Sequence, residues 1–73
     1  MTDAFAMVRE ELSRARKKHA PMNSIHEGYA VLLEEVDELW DEIKKQDPEP
    51  SFVRKEAVHV ASMAIRMIED LLS

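Results

Sequence analysis

The chain has 73 residues and no cysteine, so it forms at most one small domain without disulfides or thiolate metal sites. Its formal net charge of −5 at pH 7 argues against binding to nucleic acid polymers, which requires a basic face. No stretch approaches the roughly 20 apolar residues of a membrane span, and the first residues match neither a signal peptide nor a transit peptide. We therefore expect residues 1–73 to form a single cytoplasmic domain with no membrane partner.

The small size of the chain also predicts self-association. A chain of this length buries only about 60% of the surface that its unfolded form exposes, which leaves a lone core marginal. With 45% hydrophobic residues and no covalent cross-link, the simplest remedy is a partner of the same sequence. We expect a homo-oligomer, either a dimer or a tetramer.

The first predicted helix runs from roughly Asp3 to His19, with Thr2 or Asp3 as the N-cap. Its narrow apolar stripe consists of Phe5, Val8, Leu12 and Ala15. Basic residues, among them Lys17 and Lys18, occupy its last turns. They suit the negative end of the helix dipole, and a phosphate-binding patch is the alternative interpretation.

The second predicted helix runs from about Ile25 to Lys45. Pro21 disfavours helical geometry in the residue before it and so ends the first helix. Ser24 and Glu27 match a capping box, with Ser24 as the N-cap. Gly28 lies near the start of this helix, where a close neighbour would need the room.

Two faces distinguish this second helix. Its apolar stripe, expected to pack in the core, consists of Tyr29, Leu32, Leu33, Val36, Leu39, Trp40 and Ile43. At about 100° per residue, Glu35 lies roughly 110° and Glu38 roughly 170° from the centre of that stripe. Glu34 lies close to them, so the helix offers clustered carboxylates on a second face. Trp40 belongs to this stripe and is therefore expected in the core.

The third predicted helix runs from about Phe52 to Leu72, after a proline-rich turn, with Ser51 as the expected cap. Its broad apolar face consists of Val53, Ala57, Val60, Ala61, Ala64, Met67, Ile68 and Leu71. Such a helix must be covered on several sides, more than two short helices provide. The sequence therefore predicts an all-α fold, in which a three-helix chain with a helix-turn-helix hairpin core is completed as a bundle by homo-oligomerisation.

Glu35 and Glu38 are three residues apart, so their Cβ atoms lie about 5–6 Å apart on one side of the helix. At an effective dielectric of 20, two such charges repel by roughly 2–3 kcal/mol. A divalent cation turns that repulsion into attraction, and Mg²⁺ suits a site of a few carboxylates. The alternative is a solvated acidic face, where water screens the repulsion.

Glu56 and His59 form a second pair at the same spacing on the third helix. Glu56 lies at the edge of the apolar face, where an isolated carboxylate is costly unless it is paired, protonated or metal-bound. A salt bridge for Glu56 and a structural role for His59 are the alternatives. The two pairs lie on adjacent antiparallel helices, as in the metal sites of helical bundles. This conjunction predicts a metal site of Glu35, Glu38, Glu56 and His59.

These residues resemble the signature of the MazG family of all-α nucleoside triphosphate pyrophosphohydrolases, which reads Glu-Glu-x-x-Glu followed by Glu-x-x-Asp. Residues 34–38 match the first half fully, and residues 56–59 match the second half except at its last position. The surrounding sequence is similar to a short, phage- or prophage-type branch of the family. The resemblance covers roughly residues 22–72.

The resemblance implies hydrolysis of a nucleoside triphosphate to the monophosphate and pyrophosphate. By position, Glu35, Glu38 and Glu56 would bind Mg²⁺. Glu34 would be a further ligand or the base that orients the attacking water. The candidate phosphate-binding residues are Lys17, Lys18, Arg54, Lys55 and Arg66, and Trp40 or Tyr29 could stack on the base.

His59 departs from the signature, because it stands where the family has an aspartate. The substitution removes a negative charge and offers an imidazole nitrogen, which suits Mn²⁺ or Zn²⁺ better than Mg²⁺. The alternative function is therefore a catalytically degenerate helical module that dimerises or binds a partner protein.

Overall fold

The computed structural model describes residues 1–73 and contains helices without strands, which confirms the predicted all-α fold. Helix α1 spans Ala4–Lys18, α2 spans Ile25–Ile43 and α3 spans Pro50–Met67, and a single π-helical turn covers Ile68–Leu72. Helix α3 is central, because both α1 and α2 pack against it. None of the helices is both long and apolar enough to cross a lipid bilayer.

The starts of α1 and α2 follow the predicted capping. Asp3 is the N-cap of α1 and accepts a hydrogen bond from the backbone N–H of Ala6 at 3.0 Å. Ser24 caps α2 by accepting from the N–H of Glu27 at 3.1 Å. The reciprocal bond of the capping box is displaced by one residue, because the Glu27 carboxylate accepts from the backbone and side chain of Asn23 instead.

Three predicted helix ends are wrong, among them the end of α3, which lies at Met67 instead of Leu72 because the last turn is π-helical. Helix α3 begins at Pro50, and the side chain of Glu49 at the N-cap position makes no capping hydrogen bond, so Ser51 is not the cap. Proline suits the first helical position, because its φ is already helical and no N–H is needed there. Helix α2 ends at Ile43, two residues before the predicted Lys45.

Close packing between α2 and the C-terminal end of α3 depends on Gly28, as its position in the sequence predicts. A Cβ at this residue would lie 2.9 Å from Cγ of Met67 and 3.1 Å from Cδ1 of Leu71. The buried apolar residues nearby are Ala15, Met22 and Met63, with Val31, Leu32, Met67 and Leu71 packed against them. The small core therefore joins all three helices.

The predicted packing face of α2 is wrong in part. Leu32 and Leu39 are half-buried, but five large apolar side chains are exposed, and we call them the exposed stripe: Tyr29, Leu33, Val36, Trp40 and Ile43. Helix α2 is turned so that Gly28 and Glu35 face α3, which moves the stripe toward solvent. Trp40 is 57% exposed, so its assignment to the core is wrong for the single chain.

The linker between α1 and α2 is hydrogen-bonded to residues near the C-terminal end of the chain. Arg66, which is only 5% exposed, donates to the carbonyl of Ala20 at 3.1 Å and to the sulfur of Met63 at 3.5 Å. Asp70 accepts from the N–H of Met22 at 3.1 Å and from Arg16 at 2.9 Å. These bonds fix the path by which the chain passes from α1 to α2.

We expect Asp70→Asn to lower the free energy of unfolding at pH 7 by about 1–3 kcal/mol, because it weakens a charge-assisted bond at a buried carboxylate. The hydrogen bonds from Arg16 and from the Met22 N–H hold the pKa of Asp70 below its usual value. The stabilisation is therefore complete above the unfolded pKa of about 3.9 and is lost as the pH falls through the lower folded pKa. Urea denaturation at pH 7 and pH 3 should show the difference from wild type shrinking at pH 3.

The matched control is Glu69→Gln, which removes the other carboxylate that pairs with Arg16. That side chain is 55% exposed, so its loss should cost less than about 1 kcal/mol. Equal effects of the two substitutions at pH 7, or an Asp70→Asn deficit that does not depend on pH, would contradict the assigned role of Asp70.

Candidate metal centre

Glu35, Glu56 and His59 meet where α2 and α3 face each other, and we call them the Glu–Glu–His cluster. One potential ligand atom from each lies within 4.8 Å of the others. Nδ1 of His59 lies 3.5 Å from Oε2 of Glu35 and 3.6 Å from Oε2 of Glu56. The i, i+3 spacing places Glu56 and His59 on one side of α3, and the packing of α2 brings Glu35 to the same point.

The two carboxylate oxygens of this cluster are buried without partners. Oε2 of Glu35 and Oε2 of Glu56 are closed to solvent, and neither accepts a hydrogen bond. Buried polar atoms are almost always paired, and leaving a charged one unpaired is costly. Two carboxylate oxygens and an imidazole nitrogen form a donor set that suits divalent transition metals such as Mn²⁺ and Zn²⁺. The residues therefore fit a metal ion.

The electrostatics of Glu35 favour added positive charge. Burial raises the pKa of its carboxyl group above the usual value, and the neighbouring charges of Glu38 and Glu56 raise it further, while His59 opposes them. Removal of water and nearby negative charge both disfavour the ionised form. A bound divalent cation would offset both effects.

The remaining predicted carboxylates lie at the margin of the cluster. Glu38 is exposed and lies outside the compact set of three, although its carboxyl group interacts with that of Glu35. Glu34 is exposed and lines a cleft of about 510 Å³ together with Glu35 and His59. We call this the main cleft; it lies between α1 and α2. Its volume is in the range of small-molecule sites.

The predicted phosphate-binding residues are divided between two places. Lys18 and Arg66 line the main cleft, but the guanidinium group of Arg66 already holds the linker. Arg54 and Lys55 line a second, larger recess of about 690 Å³ between α1 and α3, which Glu11 and His59 also line. Lys17 is exposed and lines neither. Of these five residues, Lys18 is therefore the one that lines the main cleft and whose side chain forms no hydrogen bond or ion pair.

Two residues of α1 belong to this region and were missed by sequence reasoning. Oε1 of Glu11 lies 3.6 Å from Nε2 of His59, and Arg14 donates to both Glu11 oxygens, at 2.9 and 2.8 Å. The available signal was the position of Glu11, three residues after Val8 and four before Ala15, which places a carboxylate on the packing side of α1.

Neighbouring cationic groups favour the ionised form of Glu11. Partial burial raises the pKa of its carboxyl group, but the hydrogen bond from Arg14 and the charges of His59, Arg14 and Lys55 outweigh burial and lower it overall. Glu11 is therefore a carboxylate near neutral pH, directed at the imidazole from the side opposite Glu35 and Glu56.

No family model, curated protein or solved structure matches this chain. The interpretation of the site therefore depends on its residues and their geometry.

We expect Glu35→Gln to raise the free energy of unfolding at pH 7, without added metal, by about 1 kcal/mol. This is part of the roughly 3 kcal/mol by which two charges 5–6 Å apart repel at an effective dielectric of 20. A carboxyl group with a raised pKa binds more protons in the folded state, so its penalty grows as the pH rises above the unfolded pKa. The gain should therefore disappear below about pH 4. Urea denaturation across this range measures it.

Added Mn²⁺ should make the wild type more stable than Glu35→Gln, because an ion that binds the folded state raises the melting temperature of the wild type. Glu35→Gln should show no such rise. Glu42→Gln is the matched control, since Glu42 lies on the same helix, is half-buried and pairs with Lys45 outside the cluster. Equal Mn²⁺ stabilisation of the wild type and of Glu35→Gln would refute the metal site.

Proposed function

We propose that this chain is a metal-dependent nucleoside triphosphate pyrophosphohydrolase of the MazG-like type, in which Glu35, Glu56 and His59 bind the ion. The observation that carries the proposal is the convergence of two buried, unpartnered carboxylate oxygens on Nδ1 of His59. The choice of a nucleoside triphosphate as substrate rests on the resemblance of residues 34–38 and 56–59 to the family signature.

The residues around the cluster have distinct tasks in this proposal. A bound divalent ion would neutralise phosphate oxygens and lower the pKa of a bound water. Glu34, exposed in the wall of the main cleft, orients the attacking water and accepts its proton at a carboxylate oxygen. Lys18, in the opposite wall, binds the phosphates. Glu38 adds negative charge beside Glu35 and strengthens the attraction for the ion.

The donor set decides which ion we expect. Mg²⁺, the ion that the resemblance implies, prefers oxygen ligands and an octahedral shell. The imidazole of His59 replaces one oxygen ligand by nitrogen, and Mn²⁺ accepts a mixed set more readily. We therefore propose that Mn²⁺ binds more tightly than Mg²⁺.

Turnover is tested with a panel of ribo- and deoxyribonucleoside triphosphates in the presence of Mg²⁺ or Mn²⁺, by measuring pyrophosphate release. The wild type should release pyrophosphate and the nucleoside monophosphate. Glu56→Gln should reduce the rate by about 100-fold or more, because outer partners of metal sites alone are worth 10–100-fold. Glu42→Gln, outside the cluster, should retain wild-type activity. Absence of turnover with every nucleotide and both metals, or release of phosphate instead of pyrophosphate, would refute this function.

The second candidate is a helical module that dimerises without catalysis, and the exposed stripe favours it. Tyr29, Leu33, Val36, Trp40 and Ile43 follow each other at alternating spacings of four and three residues, as in the seam of a coiled coil. In this candidate no metal is required. Pairing of the stripe with a second copy is compatible with either candidate.

Pairing through the stripe predicts that Val36→Lys, but not Ala30→Lys, weakens self-association. Both positions are exposed on α2, but Val36 belongs to the stripe and Ala30 does not. Trp40 is the only tryptophan, so its emission should shift to shorter wavelength as rising concentration buries it in the assembly. Light scattering gives the mass in parallel. A monomeric wild type at every concentration, or equal association of the two variants, would contradict the pairing.

A further inference from the structure

The two ring nitrogens of His59 face different surroundings. Nδ1 faces the buried, unpartnered oxygens of Glu35 and Glu56, at 3.5 and 3.6 Å. Nε2 faces Oε1 of Glu11, at 3.6 Å. A neutral imidazole carries a proton on one nitrogen and a lone pair on the other, and the surroundings decide which is which.

We propose that Glu11 is a positioning residue whose carboxylate accepts the Nε2–H of His59 and thereby presents the Nδ1 lone pair to the ion. The inference rests on the proposed metal centre and adds a residue of α1 to it. A histidine that binds a metal usually donates its other N–H to a carboxylate, carbonyl or water, which fixes the tautomer and the orientation of the ring.

Glu11 does not qualify as a direct ligand. Arg14 donates from Nε to Oε1 at 2.9 Å and from Nη2 to Oε2 at 2.8 Å, so both oxygens are engaged by a cation. A metal ion on these oxygens would lie beside the guanidinium group and be repelled by it. Oε1 can still accept from Nε2, because a carboxylate oxygen has two lone pairs. Glu11, whose oxygens are bonded to Arg14, therefore orients the ring, whereas the unpartnered oxygens of Glu35 and Glu56 are the ones available to bind the ion.

The arrangement gives α1 a specific part in the site. Helices α2 and α3 supply the three groups of the Glu–Glu–His cluster, but neither constrains Nε2 of His59. The pair formed by Glu11 and Arg14 restrains the ring from the remaining side. Both His59 and Glu11 are largely buried, at 17% and 14% exposure of their side chains, and the 3.6 Å between Nε2 and Oε1 must shorten for the proposed hydrogen bond to form.

The tautomer of His59 tests this inference directly in the wild-type protein. With Zn²⁺ as the probe metal and ¹⁵N-labelled histidine, long-range ¹H–¹⁵N spectra should show a metal-bound Nδ1 and a protonated Nε2. Signals of His59 are assigned by their absence from His59→Gln. A metal-bound Nε2 with a protonated Nδ1 would overturn the inference and leave the metal centre standing.

Calorimetric titration with Zn²⁺ alone measures the effect on affinity. Glu11→Ala should weaken binding by about 10–100-fold, and Glu11→Gln by less, because the amide oxygen still accepts a hydrogen bond. Glu10→Gln, an adjacent exposed residue of α1, should bind as the wild type does. Equal affinity of Glu11→Ala and wild type overturns the role of Glu11.

Two further results separate the inference from the proposals on which it depends. Absence of Zn²⁺ binding by the wild type overturns both the inference and the metal centre. Neither readout uses nucleotide hydrolysis, so a protein that binds Zn²⁺ with the expected tautomer but turns over no nucleotide supports the role of Glu11 while refuting the pyrophosphohydrolase. If Glu11→Ala does not fold, the wild-type tautomer still decides.

Discussion

Burial of carboxylate oxygens between α2 and α3 is the constraint on which the rest of the structure depends. Glu35 and Glu56 place two like charges in an interface that must also close tightly for the core to form. At low effective dielectric such charges repel strongly and have lost their hydration. A proton on a carboxylate or a metal ion can offset this cost, and Nδ1 of His59 lies 3.5 and 3.6 Å from the two oxygens. The interface is therefore less stable than an apolar one and better suited to binding a cation.

The distant end of the bundle determines whether α1 reaches this interface. Arg66 and Asp70 hold the linker through the carbonyl of Ala20 and the N–H of Met22. Because the linker is held in place, α1 packs along α3, and Glu11 lies next to His59. Buried charged groups thus serve two purposes in one small chain: near the C terminus Arg66 and Asp70 each bond to the backbone of the linker, whereas in the cluster two carboxylate oxygens have no partner.

The helices and the spacing of Glu35, Glu56 and His59 follow from local sequence, but the contribution of Glu11 from α1 does not. Ser24 as a cap and the i, i+3 pairs on α2 and α3 depend on residues within one turn of each other, so sequence alone predicts them. The contact of Glu11 with His59 joins residues far apart in the chain, and nothing local specifies it. The predicted packing face of α2 was wrong for a related reason. Periodicity shows that an apolar stripe exists, but the close approach at Gly28 determines which edge of the stripe contacts α3.

The geometry of α2 allows assembly and metal binding to coexist. At about 100° per residue, Val36 in the exposed stripe lies about 160° from both Glu34 and Glu38. A second copy packed on the stripe would therefore leave the carboxylate side of α2 open to the main cleft. The side chains that a second copy would cover are the five of the exposed stripe, and the Glu–Glu–His cluster is not among them.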